Sequence, residues 1–162
     1  MQVGLLSVDY ELANYHRMNM YDIDGIANQE TNQEIAANFG ATGTLRVGGE
    51  LKVTPQFAIR AGVAQIGNPM KSALKDGNVE VYTVGTIPHY TVENSIINYS
   101  AGLGYRFTPN FYMDVACVLK SQKEKLYAFS NLFGVGSTAV ESQPATLKSE
   151  ATRVAITLGY KF

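Results

Sequence analysis

The sequence predicts an all-β fold: an antiparallel transmembrane β-barrel wall of about six long strands, part of a larger barrel. Three observations predict it. Apolar residues recur at every second position in several separate segments. A strand points its side chains alternately to two faces, so each segment has one apolar face and one of charged or small residues. The segments run for about ten residues or more, near the ~9–11 that a membrane-crossing strand needs and above the ~5–6 usual in soluble strands. Short turns and long loops also alternate strictly, as they do in membrane barrels.

Composition agrees with that class and excludes others. A chain of 162 residues is one domain's length, and 46% hydrophobic residues suit a packed protein. Charged residues reach only 17%, below the ~25% of soluble domains. Glycine (15) and tyrosine (10) are abundant and tryptophan is absent. A formal net charge of -1 argues against a nucleic-acid partner. No run approaches the ~18 apolar residues of a membrane-spanning helix. Met1-Gln2-Val3-Gly4-Leu5-Leu6 has no basic region, apolar core or cleavage site, so it is no secretory signal as it stands. The single cysteine, Cys117, excludes an internal disulfide and a zinc site built on cysteines alone.

The segments form one expected β-barrel unit over 1–162. The first strand, near 3–15, alternates Leu6, Val8, Tyr10 and Leu12 with Ser7, Asp9, Glu11 and Ala13. A long loop is expected near 22–40. The strand near 42–53 sets Leu45, Val47, Gly49, Leu51 and Val53 against Arg46, Gly48, Glu50 and Lys52. Thr54-Pro55-Gln56 then makes a hairpin turn, because proline fixes φ and offers no amide donor. The strand near 57–67 follows, with Phe57, Ile59, Ala61 and Val63 opposing Ala58, Arg60, Gly62 and Ala64. After a loop near 69–93, the strand near 95–107 carries Ile97, Tyr99, Ala101, Leu103, Tyr105 and Phe107 on one face. Thr108-Pro109-Asn110 makes the second short turn. The strand near 111–128 has Phe111, Met113, Val115, Cys117 and Leu119 on its apolar face. A last loop near 130–148 leads to the strand near 150–162, with Val154, Ile156, Leu158, Tyr160 and Phe162 alternating.

An internal repeat supports the arrangement. Thr54-Pro55-Gln56-Phe57 returns as Thr108-Pro109-Asn110-Phe111, and at the same offset Val47-Gly48 returns as Ala101-Gly102 and Lys52 as Arg106. A repeated hairpin with aromatics beside its turn is a barrel-wall unit. Phe57, Phe107, Phe111, Tyr160 and Phe162 are expected at one end, as an aromatic girdle.

The stretches Leu45–Gly62 and Tyr99–Phe107 resemble the C-terminal wall of the outer-membrane long-chain fatty acid transporter family, in a version like those of Bacteroides-type bacteria. Arg153-Val154-Ala155-Ile156-Thr157-Leu158-Gly159-Tyr160-Lys161-Phe162 resembles the closing strand of outer-membrane barrels in general. The resemblance implies a fourteen-stranded barrel with an N-terminal hatch and a lateral opening, located in the bacterial outer membrane. Nothing in the chain matches the hatch, so a fragment of such a wall is expected, one whose edges pair with other copies. The implied partners are membrane lipids, hydrophobic small molecules and the barrel assembly machinery, which reads the C-terminal strand. In that family capture begins at the extracellular loops, and the apolar loop residues Met70, Leu74, Ile87, Tyr90, Leu132 and Phe133 are the expected ligand-binding positions.

Other motifs also admit plainer readings. Gly48, Gly102, Gly104 and Gly159 lie opposite the apolar face, where they either keep a lumen open or relieve crowding beneath large side chains. Arg46, Glu50, Lys52, Arg60, Arg106, Asp114, Lys120 and Arg153 share that face, as mutually neutralising lumen charges or a polar path. Gly134-Val135-Gly136-Ser137-Thr138 lacks the lysine of a phosphate loop. Asp22, Asp24, Asn28 and Glu30 are not spaced as an EF-hand and read as a solvated loop. His16 and His89 lack metal-ligand spacing, and Cys117 reads as a small hydrophobe. No catalytic motif is present, so neither an enzyme nor a cofactor is expected. The expected function is passive transport of long-chain fatty acids or other hydrophobic compounds. A structural or surface-binding barrel, and a soluble β-domain with an apolar pocket, remain the alternatives.

Overall fold

The computed structural model describes residues 4–81, 89–134 and 140–162. Its frame is one six-stranded antiparallel sheet in which every strand pairs with its neighbour in sequence. The strands are β1 (Gly4–Asn14), β2 (Ala41–Lys52), β3 (Phe57–Ile66), β4 (Tyr90–Arg106), β5 (Phe111–Tyr127) and β6 (Ala145–Tyr160). β1 and β6 do not pair with each other, so the sheet is not closed into a barrel and both outer edges are open. No helix among the described residues is long and apolar enough to cross a membrane.

The repeat in the sequence becomes a repeat in the turns. Thr54 Oγ1 accepts from the amides of Gln56 (3.2 Å) and Phe57 (3.0 Å), and Thr108 Oγ1 accepts from those of Asn110 (3.3 Å) and Phe111 (3.0 Å). The Val53 and Phe107 amides close the hairpins onto the Phe57 and Phe111 carbonyls at 2.9 and 3.0 Å. Threonine before proline therefore fixes both hairpins by the same contacts, with proline setting φ and the hydroxyl holding the returning amides.

Register assigns each side chain to a face, since directly paired residues point the same way. Leu51, Ile59, Leu103, Val115 and Ile156 form one continuous row, and Val8, Val47, Val63, Tyr99 and Leu119 form another. On the opposite face Ser7, Gly48, Gly62, Ser100, Val118 and Arg153 share a row.

The strands outlast the sequence reading at the loop end. β4 starts at Tyr90 and β6 at Ala145, ahead of the expected 95 and 150, and the pairing of β4 with β5 shifts between Glu93 and Ile96. That bulge, together with charges such as Lys123, Glu124 and Lys125, breaks the alternation that marks a strand in sequence. The stretch near 22–40 is also more than a loop. Helix α1 runs over Gln29–Asn38 behind an Asn28 cap whose side chain accepts from the Thr31 amide at 3.1 Å, and a 3-10 turn at Tyr15–Arg17 precedes the stretch. α1 buries no residue, so it has no apolar stripe by which a sequence pattern could reveal it. Helix α2 is a single turn, Ser72–Lys75.

Candidate functional site

The two faces of the sheet differ in chemistry, and neither resembles a protein core. The only buried hydrophobic residues among those described are Leu74, Val92 and Tyr127, all at the loop end. The apolar face is uncovered: Leu6 is 75% exposed, Leu103 52%, Val154 65% and Ile156 67%. At the turn end this face carries aromatics in contact. Phe107 stacks on Phe111 with ring centroids 5.3 Å apart and meets Tyr105 edge-on at 4.9 Å. Tyr160 pairs directly with Phe111, and the Phe162 ring, two residues past the end of β6, is centred 6.5 Å from the Tyr160 ring. At the other end, Ser121, Lys123 and Lys125 follow Leu119 on the same side of β5.

The other face is concave. One hollow of about 830 Å³ is lined from Leu5, Ser7 and Asp9 on β1 through to Arg153 on β6, which requires the sheet to curl around it. Its charges, Arg153 excepted, are cross-linked between strands. Arg46 Nη1 lies 2.5 Å from Asp9 and its Nη2 2.9 Å from Glu11. Arg60 donates from Nε to Glu50 at 2.6 Å and from Nη1 to Asp114. The second contact reaches from β3 across β4 to β5, and a Cβ at Gly104 would fall 2.6 Å from the Asp114 carboxylate. Gly104 is thus the gap through which the ion pair passes. Gly159 does the same for an aromatic ring: a Cβ there would lie 2.0 Å from the Tyr112 ring, its direct partner across β5 and β6. At these two positions the glycines make way for groups lying across the strand, one of the two roles the sequence allowed.

The expected capture residues separate into two groups. Met70 bridges Phe39, tying the second long connection to the first. The Gly40 amide donates to the Pro69 carbonyl (2.7 Å), and Lys71 Nζ to the Ala36 carbonyl at the end of α1 (2.7 Å). Leu74 is buried. Tyr90, expected in a loop, is instead the first residue of β4, stacked on Tyr127 at 5.0 Å. Met70 therefore ties two connections together, Leu74 is buried and Tyr90 belongs to the sheet, so none of the three is an exposed loop position. Leu132 and Phe133 are different, at 53% and 68% exposed on the third connection. Ile87 lies outside the described residues, as do residues 135–138 of the glycine-rich stretch.

Two residues organise the loop end and gave no sequence signal. Asn131 donates from Nδ2 to the Asp76 carbonyl (3.1 Å) and the Asn78 amide oxygen (2.8 Å), while its Oδ1 accepts from the Ser142 amide (2.8 Å). Tyr127 donates its hydroxyl to the Lys75 carbonyl at 2.8 Å. Gly77 sits between them at φ +76°, a left-handed conformation that favours glycine. Tyr90 and Tyr127 lie on the loop side of the apolar band, and burial raises both phenols above their ordinary range. Asp22 Oδ1 accepts from the amides of Asp24 (3.0 Å) and Ile26 (2.8 Å), which makes it a turn residue. Among the described residues no cluster of His, Cys, Asp and Glu could hold a metal ion.

No protein family, curated protein or solved structure matched this chain.

Proposed function

We propose that the chain is a wall segment of an outer-membrane β-barrel that passively transports long-chain fatty acids or other hydrophobic compounds. One observation carries the reading: an apolar sheet face left uncovered, backed by a concave face of ion pairs and small residues. This is the reverse of a water-soluble β-protein, which buries its apolar face under a second layer. The described residues supply no such layer, since α1 buries nothing.

The dimensions suit a bilayer. The apolar run covers Ile97–Phe107, along β4 and one residue past its end, and Phe111–Leu119 on β5. At ~3.4 Å per residue and the ~40° tilt of barrel strands, these project to roughly 21–26 Å, close to the ~25 Å apolar band of such barrels. Aromatics at the turn end and lysines beyond Leu119 mark its two borders. Six strands fall below the ~8 of the smallest single-chain barrels, so further strands complete the ring. The exposed aromatics at the end of β6 suit recognition by the assembly machinery.

Transport rests on the resemblance of Leu45–Gly62 and Tyr99–Phe107 to the fatty acid transporter wall, with Leu132 and Phe133 as the exposed apolar positions for capture. A second reading, a structural or surface-binding barrel, is favoured by the hydrogen-bonded loop cluster around Asn131. Two measurements test these. Cys117 lies on the apolar face, so an environment-sensitive dye attached there should be quenched by nitroxide-bearing lipids in phosphatidylcholine vesicles. An unquenched dye refutes the membrane reading. With insertion established, oleate uptake into the vesicles should fall when Leu132 and Phe133 are replaced by Asp. Insertion without uptake by the unaltered chain favours the second reading.

A further inference from the structure

Resting on that membrane reading, we propose that the missing part of the ring is a second copy of this chain, joined edge to edge as β6 of one copy against β1 of the other. Strand parity permits this. Six antiparallel strands leave β1 and β6 running in opposite directions, so β6 meets a neighbour's β1 as another antiparallel pair. All long connections then stay at one end and all short turns at the other. Two copies supply twelve strands, an even number above the ~8 minimum for closure. The joint is a repeating head-to-tail contact that closes by twofold rotation about the ring axis.

The charges at the two edges are complementary. On its concave face β1 carries only acidic charges, Asp9 and Glu11. The single Arg46 serves both, which leaves that edge with net negative charge. On the same face β6 carries only Arg153, and Lys161 continues the alternation beyond its end. Arg153 has no ion-pair partner among the described residues, although it lines the same hollow as Asp9. Joining β6 to β1 brings the unpaired cation beside the under-neutralised carboxylates, while Val8, Leu6, Val154 and Ile156 stay together on the apolar face. It also removes both open edges, each a row of unpaired backbone groups that lipid cannot satisfy.

The test uses the full chain folded in detergent micelles. Mass measurement should give two copies per particle, and the outward amides of β1 and β6 should exchange hydrogen as slowly as those of β3 and β4. Arg153→Glu should weaken the pairing at least tenfold in concentration dependence. Adding Asp9→Asn and Glu11→Gln to that variant should recover part of the loss. A folded monomer or a ring of three or more copies, with the Cys117 dye still quenched by lipid, overturns the twofold closure and leaves the membrane reading standing. Loss of quenching overturns the reading on which the closure rests, and the closure with it.

Discussion

Leu103→Arg discriminates most sharply between a lipid-facing sheet and a water-facing one. Leu103 lies on β4, in the row Leu51, Ile59, Leu103, Val115 and Ile156, well inside the apolar run. It is 52% exposed, so an arginine there has room and causes no overpacking. In contact with water, such a surface substitution changes stability by no more than ~0.5 kcal/mol. In contact with acyl chains near the bilayer centre, it costs ~2–4 kcal/mol. At ~1.4 kcal/mol per tenfold, that is a loss of roughly 30- to 700-fold in the folding equilibrium. The control is Ala116→Arg on the concave face, directly across from Gly102, where small neighbours leave space and water screens the charge. The assay is equilibrium refolding from urea into phosphatidylcholine vesicles, read by the shifted gel mobility of the folded form. Leu103→Arg should lower folding strongly and Ala116→Arg within ~0.5 kcal/mol. Equal costs at the two sites would refute the assignment of faces.

Three further outcomes follow from particular contacts. Gly159→Leu should lower stability by ~1–3 kcal/mol, because its Cβ enters the Tyr112 ring, and Tyr112→Ala should relieve most of that loss in the double variant, measured by urea unfolding. Asn131→Ala should leave the sheet folded but speed hydrogen exchange at the Ser142 amide and around Asp76–Asn78 by tenfold or more, since one side chain holds all three. Burial raises the Tyr90 and Tyr127 phenols, so their contribution to stability is complete below the ordinary tyrosine value of ~10 and is lost as pH rises through the folded values. Phenolate absorbance in the Tyr90→Phe/Tyr127→Phe variant should therefore lack the high-pH component of the unaltered chain.

Much of the sheet was legible because alternation is a local property of sequence. Leu6, Val8, Tyr10 and Leu12 announce a strand and its apolar face without knowledge of any partner. The Thr-Pro turns were legible for the same reason, as each is fixed by contacts within four residues. What escaped depends on partners distant in sequence. Gly159 and Tyr112 meet only because β5 and β6 pair in one register, and Gly104 matters only because Arg60 reaches over it to Asp114. Asn131 is one polar residue in an irregular stretch, and two of its three partners, Asp76 and Asn78, come from another connection. The capture residues were chosen for being apolar and lying in loops. That criterion cannot separate Leu74, buried against its neighbours, from Phe133, which faces outward.

The alternating pattern also governs how such a chain survives before it is folded. Its mean hydropathy is -0.06, almost neutral, because polar and small residues offset the apolar ones that they alternate with along the strands. An extended chain therefore shows water only narrow apolar stripes, and it has no stretch long enough to be mistaken for a membrane helix. Oiliness arises only when neighbouring strands pair and line up their alternate residues. If the uncovered face meets lipid, as proposed, pairing far from a bilayer creates a sticky sheet, and strand pairing must coincide with entry into lipid.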